Sequence, residues 1–553
     1  GVDQYIDMIL IEWEDTSTIE QNQVCCCRLI NLRSANVLSF AQALAVLFNH
    51  FKFKSRKSCM SFNSLIRGLF ARDASIWADD PIVQKKISNR LGWLDAPQFV
   101  ADQMEAINSF ADQIRDAGFQ HIVLLAMGGS CLAPEVMARI AGEQVGWPRL
   151  RALDSTSPDK IGNIEEELNL ATTLFVVASK SGNTIETHSL YLYFRQQLLD
   201  AGLPPDDYMV AITDSGSNLE TVAAADGFRA CFINPADIGG RYSAVSYFGL
   251  VPAALIGINI RSVVATAMQA IAECQAGTGR GVRLGEWMGR NWQLGRDKMG
   301  MVLSSDIEPF GWWIEQLVAE SLGKQGKGIL PWRAEMPGSS YPDDMFFAVW
   351  SKSEIREDLR MMHQGALQTV AQLGAEFVHW EVATALAGAV LDVNPFDEPN
   401  VTEAKQVTSK ILAEGVENMG SVGAPVSSLV SQLGPKDYLN ILAYLPDTTA
   451  VKLSLEGLIK KIRDLTSRPV ILSWGPRYLH SSGQLHKGGP NQGVFLVLAG
   501  DAGSDKAIPE QTYGFRTLLL AQAQGDFKVL QERNRRVTYI KISGDMTGDL
   551  ENL

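Results

Sequence analysis

Strand-like apolar runs alternate with helix-like segments along most of the chain after about residue 70. The runs HIVLLAM and TLFVVA are continuously apolar, and each leads through a polar or glycine-rich turn into a helical pattern. A weaker third unit is DYMVAITDSGSNLETVAAA. Continuous apolar strands that alternate with helices are typical of a parallel sheet covered on both faces. The pattern therefore predicts an α/β fold with the three turns at one edge of the sheet.

The alternation resumes in the second half of the chain. Strands are predicted at DKMGMVLSSD, DMFFAVW, YLNILAYL, PVILSWG, GVFLVLAG and VTYIKISG, with long helices at PFGWWIEQLVAESLG and GAEFVHWEVATALAGAV. We therefore predict a first domain over 66–280 and a second over 281–553 that includes a C-terminal extension. Residues 1–65 show no sustained period, and their role is left unassigned.

Composition narrows the classes of function. The 553 residues are 46% hydrophobic and 20% charged, as in ordinary globular enzymes, and the formal net charge is −13. That charge argues against nucleic acid or an anionic membrane as a partner. No apolar run approaches the ~20 residues of a membrane span, and the first residues do not resemble a secretory signal, so a cytoplasmic location is expected. The seven cysteines form neither a disulfide framework nor a metal-binding spacing.

The turn in VVASKSGNTIETHSL is dense in hydrogen-bond donors. Ser179, Lys180, Ser181 and Thr184 follow a predicted strand and precede a helix. Such a position offers unpaired backbone N–H groups and the positive end of a helix dipole, so hydroxyls placed there can hold a phosphate. The neighbouring turn GGSC would add Ser130. Ordinary helix capping explains either turn alone equally well, and neither turn is a Walker loop or a G-x-G-x-x-G turn.

Six separate motifs carry a resemblance to the phosphoglucose isomerase family. They are MGGSCLAPEV, SKSGNTIET, GGRYSAVSYFGLVPAAL, AESLGKQGKGILP, NPFDEPNVTEAK and LHSSGQLHKGGP, and together they span roughly residues 70–545. The chain most resembles the bacterial form found fused behind a transaldolase, although no transaldolase half is visible in the first 70 residues. The resemblance implies two sugar-isomerase (SIS) domains, each a mainly parallel sheet with helices on both faces. It also implies metal-free interconversion of glucose 6-phosphate and fructose 6-phosphate.

The resemblance implies a role for Glu320 as the base that moves a proton between carbons one and two. Gln316 lies four residues earlier, so both side chains project from one helix face and Gln316 is expected to bind substrate. Without the motif, an exposed Glu320 paired with Lys324 would be the favoured reading. The phosphate cradle implied by the resemblance consists of Ser130, Ser179, Lys180, Ser181 and Thr184.

The remaining implied roles concern charge stabilisation and ring opening. Arg241 would stabilise the negative enediolate, because a fixed cation acts as the charge develops. His480 resembles the ring-opening histidine, with His486 as the alternative, and Lys405 resembles the lysine that assists at the ring oxygen. In isolation, Arg241 would be a surface arginine after a turn, Lys405 a solvated lysine and His480 a loop histidine. The LHSSGQ segment also follows the Lys405 motif instead of preceding it.

Four positions depart from the common pattern of the family. Cys131 and Asn183 replace a usual Ser and Thr, while Glu398 and Thr402 replace a usual Gln and Glu around Lys405. An added carboxylate at Glu398 disfavours an anionic substrate unless it is turned away or paired. No H-x-H or H-E-x-x-H spacing occurs, so neither a metal nor another cofactor is implied.

The resemblance thus implies an enzyme that isomerises glucose 6-phosphate and fructose 6-phosphate, with a small sugar phosphate as its partner and no nucleic acid or membrane. The resemblance further implies a homodimer. Two alternatives stay open: an isomerase that also accepts mannose 6-phosphate, and a sugar-phosphate-binding SIS protein without catalysis.

Overall fold

The first half of the described chain is built on a five-stranded parallel sheet. Its strands are β1 (His121–Ala126), β2 (Arg149–Leu153), β3 (Thr173–Ala178), β4 (Met209–Asp214) and β5 (Ala230–Asn234). They pair in the order β2-β1-β3-β4-β5, so the order reverses between β1 and β3. In open α/β sheets, ligands bind at the carboxyl edge beside such a reversal. The predicted turns after β1 and β3 flank this point.

Helices surround this sheet and extend beyond it. Pro81 and Pro158 open their helices at the first position, where a missing N–H costs nothing. The helices up to residue 293 are α1 (Phe62–Phe70), α2 (Pro81–Ser88), α3 (Ala96–Asp102), α4 (Met104–Asp116), α5 (Gly129–Ala141), α6 (Pro158–Glu167), α7 (Ile185–Asp200), α8 (Pro205–Tyr208), α9 (Asn218–Ala225), α10 (Tyr247–Leu255), α11 (Ile260–Gln275) and α12 (Arg280–Gln293).

Two further parallel sheets follow. One has the order β7-β6-β8-β9 and the other the order β11-β10-β12-β13. Their strands are β6 (Lys298–Leu303), β7 (Leu330–Arg333), β8 (Met345–Ser351), β9 (Met362–Ala366), β10 (Tyr438–Tyr444), β11 (Val470–Trp474), β12 (Gly493–Gly500) and β13 (Arg536–Ile542). The predicted α/β class with parallel sheets and flanking helices is confirmed. The region 281–553, for which one sheet was predicted, differs in carrying two within its described residues.

The helices of this second region include the longest in the described chain, α14 (Val370–Leu391). It is apolar on nearly every face and is buried along most of its length, with Phe377, Trp380 and Leu386 in the core. The helices after residue 300 are α13 (Phe310–Leu322), α14 (Val370–Leu391), α15 (Pro399–Glu414), α16 (Val426–Ser431), α17 (Thr449–Thr466), α18 (Gly483–Gly488), α19 (Phe515–Glu532) and α20 (Met546–Glu551).

The computed structural model describes residues 60–334, 342–351, 362–417, 419–500, 505–542 and 545–553. These residues all belong to one compact unit, Arg56–Leu553. The unassigned segment 1–65 lies outside the described residues up to position 59. Among the described helices, none combines the length and hydrophobicity needed to cross a bilayer. The predicted domain boundary near residue 280 stays a prediction.

Candidate active site

Gly128 and Gly129, in the turn after β1, allow other segments to approach closely. Gly128 adopts φ +53°, and a Cβ there would lie 2.8 Å from the His480 carbonyl oxygen. A Cβ at Gly129 would lie 2.0 Å from the Gly240 carbonyl oxygen. Only glycine fits such contacts without moving the neighbouring backbone. The glycine turn of the first sheet therefore meets the segments that carry Arg241 and His480.

Glu320 and Gln316 project together from α13, as their spacing predicts. The Gln316 amide donates to Glu320 Oε2 at 3.1 Å and to the His480 carbonyl at 2.7 Å. Both side chains are buried, and burial raises the pKa of Glu320, while nearby Arg241 opposes that rise. A carboxylate with a raised pKa in a charged, enclosed site suits general base catalysis.

Lys324 does not pair with Glu320, so the alternative reading of this helix is wrong. Its buried ammonium donates to the Asn394 carbonyl at 2.6 Å, and to the carbonyl and carboxylate of Asp397, the latter at 2.8 Å. Burial, with Arg241 nearby, lowers the pKa of Lys324 to about 8. Lys324 therefore holds the loop before α15, and Glu320 pairs with Arg241 instead.

Arg241 lies in a 3-10 turn, Gly240–Tyr242, and its guanidinium is almost fully buried. Nη1 lies 3.4 Å from Glu320 Oε1 and 3.1 Å from Glu398 Oε2. Nε donates to Ser321 Oγ at 2.8 Å, and Nη2 donates to the carbonyls of Pro395 and Asp397 at 2.7 and 2.9 Å. The arginine is thus an internal cation shared by two carboxylates, not a surface residue.

His480 reaches the same region from the third sheet. It closes the 3-10 turn Arg477–His480, which follows β11 at the carboxyl edge of that sheet. Its Nε2 lies 2.9 Å from Glu186 Oε1, in the first turn of α7 directly after the polar turn. Burial acts to raise the pKa of Glu186, but His480 and Lys405 hold it below its usual value. His480 therefore faces an ionised carboxylate.

The two other residues considered for ring opening lie in different surroundings. His486 is buried between Tyr438, whose hydroxyl is 3.0 Å from its Nδ1, and Asn440, whose amide is 2.7 Å from its Nε2. Burial lowers its pKa well below the usual value. Lys405 is exposed on α15, near enough to Glu186 to affect its pKa. Lys405 and His480 thus both act on the pKa of Glu186, whereas His486 lies in the core.

The polar turn after β3 is held by its own hydrogen bonds. Ser179 is buried, lies 3.3 Å from the Thr184 hydroxyl and accepts from the Gly182 N–H at 3.2 Å. Ser181 is exposed and accepts from the Asn183 N–H at 3.3 Å. Ser130 is buried at the start of α5 in the neighbouring turn. These hydroxyls occupy the edge where the sequence predicts the phosphate cradle.

Lys180 points its ammonium toward β4 and β5. It pairs with Asp214 and donates to the Ala236 carbonyl at 2.8 Å. Burial raises the pKa of Asp214, and Lys180 opposes that rise. The Lys180 charge is therefore already balanced in this structure, and its predicted role in phosphate binding stays a prediction.

Sequence reasoning missed Glu186 and the pairing of Glu398. Glu186 reads as an ordinary acidic residue in the first turn of a helix. Its partner lies 294 positions away, so no local pattern could reveal it. Its position at the carboxyl edge of β3 was the available signal, because ligand-binding residues collect at that edge. Glu398, which the sequence marked as an unfavourable carboxylate, is paired with Arg241.

Cys131, Glu135 and Asp154 are the one group in the described part of the chain with atoms close enough to hold a metal ion. Their carboxylates already have cationic partners: Arg477 contacts both, and Lys160 donates to Asp154 at 2.7 Å. Burial raises the pKa of the Cys131 thiol well above its usual value. A neutral thiol and two neutralised carboxylates do not fit a metal ion.

Parts of this chain are similar in sequence to known proteins. The family model described as phosphoglucose isomerase matches residues 98–273. A glucose-6-phosphate isomerase of Trichormus variabilis is 32% identical over 243 residues, which cover 41% of this chain and 46% of that protein. A probable glucose-6-phosphate isomerase of Methanococcus maripaludis is 25% identical over 382 residues, covering 60% and 86%. The chain thus spans about half the length of the first relative.

A solved structure, a glucose-6-phosphate isomerase from Chlamydia trachomatis, overlaps 63% of this chain and 78% of that protein's chain, with a TM-score of 0.48 and 18% identity.

The part of this chain that matches the family model contains Ser130, the turn after β3 and Arg241, and it ends before Glu320. The sequence comparisons therefore support a relationship to the phosphoglucose isomerase family through residues 98–273.

Proposed function

We propose that the protein interconverts glucose 6-phosphate and fructose 6-phosphate through an enediol intermediate. One observation carries the proposal: the buried carboxylate of Glu320 lies 3.4 Å from the buried guanidinium of Arg241. An aldose–ketose isomerisation needs a base that moves one proton between adjacent carbons and a cation that stabilises the resulting enediolate. The two groups provide this combination.

Proton transfer is assigned to Glu320. Its ionised form takes the proton from carbon two of the aldose and returns it to carbon one, while the hydroxyl proton of oxygen two passes to oxygen one. Burial favours protonation and Arg241 favours ionisation, and this balance lets one carboxyl both accept and release a proton. The Gln316 amide, bonded to Glu320 Oε2, keeps the carboxylate oriented toward the substrate.

Ring opening is assigned to His480 and Lys405. The ionised Glu186 accepts from His480 Nε2, which leaves Nδ1 of a neutral imidazole free to exchange a proton with the substrate. Lys405 would act at the ring oxygen from α15. The turns that contain Ser130, Ser179, Ser181 and Thr184 would bind the phosphate, with Lys180 as a further member, and this remote binding energy would position the reacting carbons.

The proposal extends to the setting of the reaction. We expect the mechanism to be metal-free, and the Cys131 cluster described above offers no fitting site. We propose a cytoplasmic homodimer with a role in glycolysis and gluconeogenesis. We also propose kinship with the bacterial form that occurs fused to transaldolase.

The test is isomerisation of fructose 6-phosphate by the purified protein in excess chelator, beside Glu320→Gln. We expect wild-type turnover to survive the chelator and to fall by roughly 10³-fold or more in the variant, which lacks its base. Glu381→Gln is the matched control. Glu381 is buried on α14, and burial raises its pKa well above the usual value and so favours the neutral form that an amide resembles; its amide variant should retain activity.

Other results would point to the alternatives. A wild type that binds the sugar phosphate without turning it over would be a binding protein, and the proposal would fail. Comparable rates with mannose 6-phosphate would widen the substrate range while keeping the proton transfer at Glu320.

A further inference from the structure

Helix α19 (Phe515–Glu532) carries two buried side chains near His480: one contacts its partner Glu186, and the other contacts the 3-10 turn that contains His480. Gln522 and Asp526 are one helical turn apart, so both project from the same face of the helix. Their relative exposures are 2% and 1%. Neither belongs to a motif that the sequence marked as functional.

Both polar atoms of the Gln522 amide form hydrogen bonds. Its Nε2 donates to Glu186 Oε1 at 2.7 Å, and its Oε1 accepts from the Thr156 hydroxyl at 2.8 Å. Thr156 is completely buried. Because an ionised carboxylate only accepts hydrogen bonds, the amide nitrogen must face Glu186, and the amide oxygen is then the atom that accepts from the Thr156 hydroxyl.

Glu186 uses a single oxygen for two donors. Oε1 accepts from Gln522 and from His480 Nε2, at 2.7 and 2.9 Å. Oε2 has no hydrogen-bond partner among the described residues. Without Gln522, nothing in this set of contacts would favour Oε1 over Oε2, and the carboxylate could rotate and carry the imidazole with it.

Asp526 secures the backbone side of the same turn. Its carboxylate accepts from the Tyr478 hydroxyl and lies 2.5 Å from Lys487 Nζ. Tyr478 lies two residues before His480 in the 3-10 turn, and its hydroxyl is 3.0 Å from that of Tyr444. One face of α19 thus acts on the His480 imidazole through Gln522 and Glu186, and on the 3-10 turn through Asp526.

We propose that Gln522 is a positioning residue for ring opening: with Thr156 behind it, it sets the Glu186 carboxylate and so the orientation of the His480 imidazole. The proposal rests on the proposed isomerase function, in which His480 acts on the closed sugar ring. Gln522 touches no substrate in this role. It acts through Glu186.

The experiment compares Gln522→Leu with Gln524→Leu. Gln524 lies on the same helix, is equally buried and donates to the Glu417 carbonyl at 2.6 Å, away from Glu186. Both variants therefore lose a buried amide of the same size from one helix. In Gln522→Leu we expect kcat to fall roughly 10- to 100-fold, the usual effect of misplacing a reacting group by about 1 Å. KM should stay within about twofold, because the phosphate cradle is intact.

A second readout does not depend on turnover. With ¹⁵N-labelled histidine, the His480 ring signals are identified by their loss in His480→Asn. We expect one tautomer, with the proton on Nε2, in the wild type and in Gln524→Leu, and a tautomer mixture in Gln522→Leu. Binding of 6-phosphogluconate, an acyclic sugar-acid phosphate that needs no ring opening, should be equal in all three proteins.

The outcomes separate the two proposals. Equal kcat values and equal His480 signals in the two leucine variants would overturn the positioning role. A tautomer mixture in Gln522→Leu, together with a wild-type protein that has one tautomer but no isomerase activity, would keep the positioning role and reject the function. If Gln522→Leu does not fold, Thr156→Val removes the hydroxyl that holds the Gln522 amide oxygen, so the amide can turn away from Glu186, and an unchanged tautomer and kcat there would also overturn the proposal.

Discussion

Glu398→Gln should make the protein a better isomerase, most clearly at acid pH. Glu398 Oε2 and Glu320 Oε1 both contact Arg241 Nη1, at 3.1 and 3.4 Å. The carboxylate of Glu398 disfavours ionisation of Glu320 and is one cause of its raised pKa. The substitution removes a negative charge from a site that must bind an anion and develop an enediolate.

The size of the effect follows from these distances. The two carboxylate oxygens are at most about 6.5 Å apart, the sum of 3.1 and 3.4 Å. At that separation, unit charges repel by about 2.5 kcal/mol at an effective dielectric constant of 20 and by about 0.6 kcal/mol in bulk water. Because the Glu398 side chain is 45% exposed, solvent screens it. About 1 kcal/mol is therefore expected, or roughly a fivefold gain in kcat/KM.

The assay is kcat/KM for fructose 6-phosphate between about pH 5 and 9, where the acid limb reports the base in the free enzyme. Removing the negative charge lowers the pKa of Glu320, so the basic form persists to lower pH and the acid limb moves to lower pH. Asp397→Asn is the control, since that carboxylate is similarly exposed but bonds Lys324. An acid limb that stays in place or moves to higher pH in Glu398→Gln would refute the reasoning.

Three further predictions follow from buried contacts. Gly128→Ala should lower kcat by at least about tenfold, because the added methyl group clashes with the His480 carbonyl. Gly142→Ala is the control: Gly142 also has a positive φ but open space around it, so this variant should lose only stability. Steady-state kinetics measure the first effect and thermal melting measures the second. Lys298→Met removes a completely buried ammonium from two carboxylates and should lower the free energy of unfolding in urea by about 3 kcal/mol. The exposed Lys460→Met should lower it by less than about 0.5 kcal/mol. Equal unfolding midpoints for the two variants would contradict this prediction. His486→Phe should lower the melting temperature and leave kcat unchanged, and a loss of kcat without a loss of stability would assign ring opening to this histidine.

The strand runs of the sequence predict most of the sheets, because a strand buried on both faces must be continuously apolar. HIVLLAM, PVILSWG and GVFLVLAG each contain an observed strand. The apolar runs do not indicate which strands share a sheet. Which strands pair depends on contacts between distant segments, so the division of the region after 281 into two sheets has no local signature.

The candidate site divides in a similar way. Gln316 and Glu320 meet because a helix places residues four apart on one face, and this is readable from spacing. The approach of Arg241 to Glu320, and of His480 to Glu186, depends on how three sheets pack. A glycine in a turn can indicate that another segment approaches closely, but only the fold shows which segment approaches Gly128 or Gly129.

The loop before α15 is held mainly through its backbone. Arg241 and Lys324 donate to the carbonyls of Asn394, Pro395 and Asp397, and every amino acid offers a carbonyl. Backbone contacts, together with the buried Phe396, therefore fix much of this loop, and the exposed side chains at 397 and 398 contribute less. Substitutions of the half-exposed Asp397 and Glu398 can alter the charge and shape of this surface while the bonds to the carbonyls persist, which makes these two positions suitable places to engineer pH optimum or sugar preference.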